Sequence, residues 1–163
     1  MTPERRKQAR FVIRRYLERS EGNRAKIHYS QFRPLTSLGD SPTNGFTTDC
    51  SGLCISAFYW ADLWCPFTVK SPGGFGYTGW GYTGSILAEN RKRRVPLDRK
   101  FFIGDMALYG SSLSHTTHVT ICRRGGSFMQ SIWTSHGSEL GPYPTRLNYR
   151  NDLLVVVRSE ALA

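Results

Sequence analysis

The chain has 163 residues, with 22 Lys and Arg against 12 Asp and Glu for a net charge of +10, and 39% of it is hydrophobic. That is enough apolar material for one packed core, and it argues against a disordered chain. No run approaches the ~18 apolar residues of a membrane-spanning helix, and the positive balance favours anionic partners.

The first 26 residues carry nine Lys/Arg against three Asp/Glu, so they supply +6 of the net charge. Thr2 reads as a helix cap with Pro3 in the first turn, where proline fits. Phe11-Val12-Ile13 and Tyr16-Leu17 then form an apolar stripe between arginines. Ile27-His28-Tyr29-Ser30-Gln31 follows, and a loop from Gly39 to Gly45 leads to Thr47-Thr48-Asp49-Cys50-Ser51-Gly52-Leu53. Here a polar turn gives way to a helical pattern, Leu53, Cys54, Ala57, Trp60 and Ala61. Cys50 thus opens a helix, where unpaired backbone N–H groups favour thiolate and can hold an oxyanion. The alternative is a small buried side chain, with Asp49 and Ser51 as cap and first-turn residues.

Residues 71–84 hold six of the sixteen glycines and read as a loop, with Tyr77, Trp80 and Tyr82 offering flat faces or simple packing. A helix from Ser85 ends in the basic run Arg91-Lys92-Arg93-Arg94. Gly104-Asp105 turns into a strand, and His118-Val119-Thr120-Ile121-Cys122 alternates as another, with His118 facing away from Val119 and Ile121. Such a histidine can line a cleft or simply be solvated. Beside a cysteine it can take the thiol proton, and in such ion pairs the thiol pKa falls from ~8.5 to roughly 3–7. The Arg123–Gly126 turn then predicts a hairpin to a strand over Ser127–Trp133, placing Gln130 beside His118 as an orienting group or leaving it on the surface. Ser135–Pro142 reads as a polar turn with an exposed His136 and Glu139. Leu153–Val157 reads as a final central strand.

The Asp-Cys-Ser-Gly-Leu box, the Gly-Asp before a strand, the His-Val-x-Ile strand and a polar residue twelve positions later resemble the NlpC-type cell-wall cysteine peptidases, over about residues 25–135. The resemblance implies an α+β, papain-like fold, with N-terminal helices and the nucleophile helix packed on an antiparallel sheet of about five strands. It implies Cys50 as nucleophile, His118 as base and Gln130 as third residue, acting on the γ-D-glutamyl to diamino acid bond of peptidoglycan stems through a thioacyl intermediate. Tyr29 is its candidate beside the oxyanion or substrate. Asp49 and Ser51 would cap the helix or hold a substrate amine, and His136 could orient the base or meet substrate carboxylates. No metal or organic cofactor is needed by this chemistry.

The chain is therefore expected to be one catalytic domain, residues 1–163, suited to the N-terminal part of a longer lysin and monomeric. Met1–Arg6 lacks the apolar stretch of a signal peptide, so the expectation is a phage lysin or virion-associated protein made in the host cytoplasm and acting on the wall. Cys50, Cys54, Cys65 and Cys122 lack zinc-knuckle spacing and read as free thiols, the last three in the core. Competing readings are a CHAP-type amidase or endopeptidase, an acyltransferase with the same thioacyl step, and a basic nucleic-acid-binding module. For the last, no zinc-finger, RNA-recognition or helix-turn-helix signature appears.

Overall fold

The computed structural model describes residues 1–35, 38–61, 81–127, 130–138 and 140–163. Of the expected glycine-rich loop over 71–84, residues 71–80, with Tyr77 and Trp80, lie outside them, as do Cys65 and Glu139.

Helix α1 spans Pro3–Gly22, and the Thr2 hydroxyl caps it by accepting from the Arg5 N–H. Its buried residues Ala9, Ile13, Tyr16, Leu17 and Ser20 fall at helical spacing on one face, while the arginines take the rest. Ile13 and Leu17 are fully enclosed, each contributing about 1.5–3 kcal/mol by leaving water. A short strand β1 (Ile27–Tyr29) pairs in parallel with β2 (Phe46–Thr48), which sets Tyr29 opposite Thr48. Helix α2 (Cys50–Trp60) follows at once and is buried all round from Cys50 to Phe58, so it is a core helix rather than an amphipathic one. Helix α3 covers Thr83–Asn90.

The rest is one sheet: β3 (Arg94–Val95), β4 (Met106–Ser112), β5 (His115–Arg124), β6 (Ile132–Gly137), β7 (Gly141–Thr145) and β8 (Leu153–Val157). Its order is β3-β8-β4-β5-β6-β7, and every neighbouring pair is antiparallel. The class is the expected α+β, with six strands among the described residues where five were expected. Leu153–Val157 does lie centrally, between β3 and β4.

Alternation splits the sheet's side chains into two cores. Met106, Leu108, Val119, Ile121, Val155 and Val157 pack with α1 and α2. Ala107, Tyr109, Cys122, Trp133 and Val156 pack on the other face with Phe101 and Leu147. A hydrogen-bonded post fixes α1 to the sheet: Glu21 meets Arg123 of β5 and accepts from Thr134 Oγ1 of β6 at 2.6 Å. Burial raises the Glu21 pKa.

The expected strand over Ser127–Trp133 is shifted towards the C-terminus. Gly126 bridges to Phe101 through two backbone hydrogen bonds of 2.9 and 3.0 Å, so the chain after β5 is drawn sideways before it can reverse. The N–H groups of Gln130 and Ser131 both fold back onto the Ser127 carbonyl. Pairing begins only at Ile132, with Ile121 opposite Thr134 and Cys122 opposite Trp133. The expected turn at Ser135–Pro142 is instead the end of β6 and the start of β7.

Candidate active site

Two backbone accidents present Cys50. Asp49 accepts from the Gly52 N–H at 2.7 Å and so caps α2, and Gly52 lies so close to Thr48 that a Cβ there would collide with the Thr48 hydroxyl. The glycine of the Asp-Cys-Ser-Gly box is thus a packing requirement. Cys50 stands as the first helical residue, 6% exposed. Beside it is a cleft of about 350 Å³ lined by Gln31, Asp49, Ser51, Tyr82, Thr83, Thr116 and Thr117.

The thiol environment departs from expectation. Burial, followed by the Asp49 charge, pushes the Cys50 pKa up to about 12, against the backbone N–H groups of Val119, Ser51 and Cys50, which lower it. The helix N-terminus acts in the expected direction and is outweighed by desolvation. This enclosure favours the neutral thiol over the thiolate.

Val119 packs on the side of α2 and Cys50, whereas its neighbour His118 shares the other face of the sheet with Tyr109, Cys122 and Trp133. The structure thus brings Cys50 to the strand that bears His118, but no hydrogen bond joins the sulfur to the ring among the described residues. The His118 ring packs against Tyr109 and Tyr149, with centroids at 5.9 and 6.3 Å. Its Nε2 meets Ser135 Oγ at 2.8 Å, and Ser135 Oγ meets the Tyr149 hydroxyl at 3.3 Å. Nδ1 has no hydrogen-bond partner among the described residues. Burial, then the Arg150 charge, lowers the His118 pKa to about 4, so the ring is neutral at pH 7. In the tautomer whose Nε2–H donates to Ser135, the lone pair sits on Nδ1, the nitrogen nearer the backbone.

Gln130 does not join this group. It is exposed in the turn before β6, at the Arg124 end of the hairpin. Its distance along the strands from His118 is about 20 Å. The late start of β6 moves Ser135 into the place expected for Gln130. Ser135 projects to the same face as Trp133 and Cys122, which is also the face of His118.

Tyr29 is in the site. Burial first, and then its nearness to Cys50, raise its pKa, its hydroxyl accepts from Gln31 Nε2 at 2.9 Å, and its ring meets the edge of His136, with centroids 5.4 Å apart. His136 is a strand residue and only 1% exposed. It faces the helical side, its Nδ1 donates to the Gly137 carbonyl at 2.8 Å, and its Nε2 is buried without a partner among the described residues. Burial lowers its pKa.

Asp49 and Ser51 are both engaged by Arg33. The guanidinium donates to Asp49 Oδ2 at 2.8 Å and Ser51 Oγ at 2.9 Å, and Ser51 donates to Asp49 Oδ1 at 2.9 Å. Arg33 also donates to the carbonyls of Gly81 and Phe32 and lies 4.4 Å from the Tyr82 ring centroid. Sequence reasoning missed Arg33, Gln31, Ser135 and Tyr149. Only Ser135 carried a signal, since it alternates with Trp133 once β6 is placed correctly. Cys54 and Cys122 are buried core thiols.

No protein-family model matches this sequence, and no curated protein does. Among solved structures, the chain is similar to the P60 domain of the M. avium subspecies paratuberculosis antigen MAP1204. The TM-score is 0.53 at 20% identity, covering 92% of this chain and 96% of that one. The two share an α+β fold.

Proposed function

We propose that this protein is a cysteine peptidase of the bacterial cell wall, cutting peptidoglycan stem peptides through a thioacyl intermediate on Cys50. The observation that carries the reading is a thiol at the first residue of a capped helix, beside a cleft, on a helix that packs against the strand bearing His118. The fold shared with a P60 domain supports the wall as the setting.

In this reading the His118 ring turns from its resting place beside Tyr109 toward α2, and Nδ1 takes the thiol proton as sulfur attacks the stem-peptide carbonyl, a neutral pair becoming a charged one only as the bond forms. The oxygen gains negative charge at the Cys50 N–H, where the Gln31 amide and Tyr29 hydroxyl supply further donors. Collapse breaks the C–N bond, and the imidazolium passes its proton to the leaving amine. Water then attacks the thioester, giving its proton to His118, and release of the carboxylate product restores the thiol. Ser135 and Tyr149 hold the ring in the tautomer that keeps the Nδ1 lone pair available. The bond favoured is the one from γ-D-glutamate to the diamino acid. Asp49 and Ser51 act through the helix cap, since Arg33 already occupies their acceptors.

Digestion of purified sacculi followed by mass spectrometry of released fragments tests the reading. The wild type is expected to release peptides cut at that bond, and Cys50→Ala none, with an unchanged circular dichroism spectrum. Full activity in Cys50→Ala rules the mechanism out.

A further inference from the structure

A cavity of about 500 Å³ lies at the other end of the sheet, lined by Arg93, Arg94, Arg99, Lys100, Arg158 and Phe102, among others. It abuts the end of β8, where Val157 pairs with Met106, whereas the Cys50 cleft abuts Thr116, which pairs with Gly110. The two are thus separated by at least about 14 Å along β4.

Charge in this groove is unbalanced. Arg158 is committed to Asp105 through two bonds of 2.7 and 2.8 Å, and Arg93 pairs with Glu160 at 2.9 Å. Arg94, Arg99 and Lys100 are exposed and have no anionic partner among the described residues. Behind them Arg10 donates to the Leu162 carbonyl at 2.7 Å, while its Nη1 is buried with no partner among the described residues. An anion seated here would relieve repulsion among these cations, and guanidinium forks match phosphate oxygens in pairs.

The aromatic geometry narrows the class. Phe102 is the aromatic residue lining the groove, and guanidinium groups already lie over its ring, Arg158 at 4.6 Å and Arg10 at 5.3 Å from the centroid. Binding of single-stranded nucleic acid draws on a succession of aromatic faces for base stacking, and this groove offers a single ring, 42% exposed and already shared by two guanidinium groups. A cavity of this size also admits one polymer strand rather than a duplex about 20 Å across.

We propose that this groove binds a single chain of an aliphatic phosphodiester polymer, a repeating polyol phosphate. The site is separate from Cys50, and the wall reading is used only to choose which polyanion the protein meets.

The test is fluorescence anisotropy of a labelled poly(glycerol phosphate) oligomer with the wild-type chain over a salt series, beside a single-stranded oligonucleotide and polyglutamate of equal charge. Binding of the polyol phosphate is expected to be tightest. The Arg94→Glu/Arg99→Glu/Lys100→Glu variant is expected to lose at least about tenfold in affinity and about 2 units of slope in log K against log salt. An equal charge change elsewhere, Arg19→Glu/Arg24→Glu/Lys26→Glu, should cost less than about threefold, because Arg19 lies about 13 Å further along α1 than Arg10 and the other two follow it, beyond the ~8 Å Debye length at physiological salt. Thermal melts establish that each variant is folded; if the groove variant is not, Arg99→Ala/Lys100→Ala takes its place. Equal losses in the groove and control variants overturn the proposal, as does tighter binding of the oligonucleotide or equal binding of polyglutamate. Cleavage of a small soluble stem peptide, measured in parallel, reports on Cys50 independently of these outcomes.

Discussion

His118 Nε2 and Ser135 Oγ meet at 2.8 Å, joining two strands that the sequence presents as a histidine and the first residue of a polar turn. Removing this contact frees the ring to rotate and to exchange tautomers. Ser135→Ala is expected to lower kcat by about tenfold, the equivalent of one hydrogen bond near 1.4 kcal/mol, with KM held within about threefold. Gln130→Ala, in the exposed turn, should stay within about twofold of wild type on the same stem peptide. The reverse pattern would return the orienting role to Gln130.

Acid sensitivity follows from His118, whose pKa falls from 6.5 to about 4 on burial. Between those values the unfolded chain binds a proton that the folded chain does not. Stability therefore falls as pH drops through this window, by at most about 3 kcal/mol. The acid limb of kcat/KM should lie nearer pH 4 than 6.5, and the decline in Tm over the same window should flatten in His118→Gln. An acid limb at 6.5 in wild type would contradict the buried, neutral base.

The thiol supplies the alkaline counterpart. With the Cys50 pKa raised to about 12, iodoacetamide labelling should accelerate about tenfold per pH unit well above neutrality. A plateau reached below pH 7 would mean that a thiolate–imidazolium pair already exists at rest.

Gln31 lines the Cys50 cleft with one amide hydrogen on the Tyr29 hydroxyl. Its second is free to meet a developing oxyanion. Gln31→Leu is expected to reduce kcat by about 10²-fold with little change in KM. A rise in KM alone, measured with the same peptide, would make Gln31 a ground-state contact instead.

Arg33 and Asp49 form an ion pair with side chains only 2% and 3% exposed. Replacing Arg33 with Met leaves Asp49 buried and unpaired, and denaturant unfolding should register a loss of about 3–5 kcal/mol. Arg33→Lys should recover little, because one ammonium cannot reach Asp49, Ser51 and the Gly81 carbonyl together. A change below about 1 kcal/mol in Arg33→Met would show that water compensates the carboxylate.

Much of this architecture is legible in the residues. Thr2 and Pro3 mark the start of α1, Asp49 and Ser51 the start of α2, and alternation marks His118–Cys122. What escaped depends on contacts between distant segments. Nothing local in Arg123–Gly126 reveals that Gly126 will pair with Phe101, so the register of β6 was misplaced and Ser135 with it. Arg33 sits in a segment without periodicity, and its importance exists only where three stretches converge. The thiol's chemical state was misjudged for a related reason: a helix N-terminus is visible in a sequence, whereas the depth of enclosure around it is not.

The Arg33 strap gathers the residues before β2, the start of α2 and the chain entering α3 around one guanidinium. A nascent or partly melted polypeptide, lacking any one of these, cannot hold the sulfur at its cleft. On the proposed mechanism, competence to cut requires all three segments in place together, so an incompletely folded copy would be inert rather than indiscriminate.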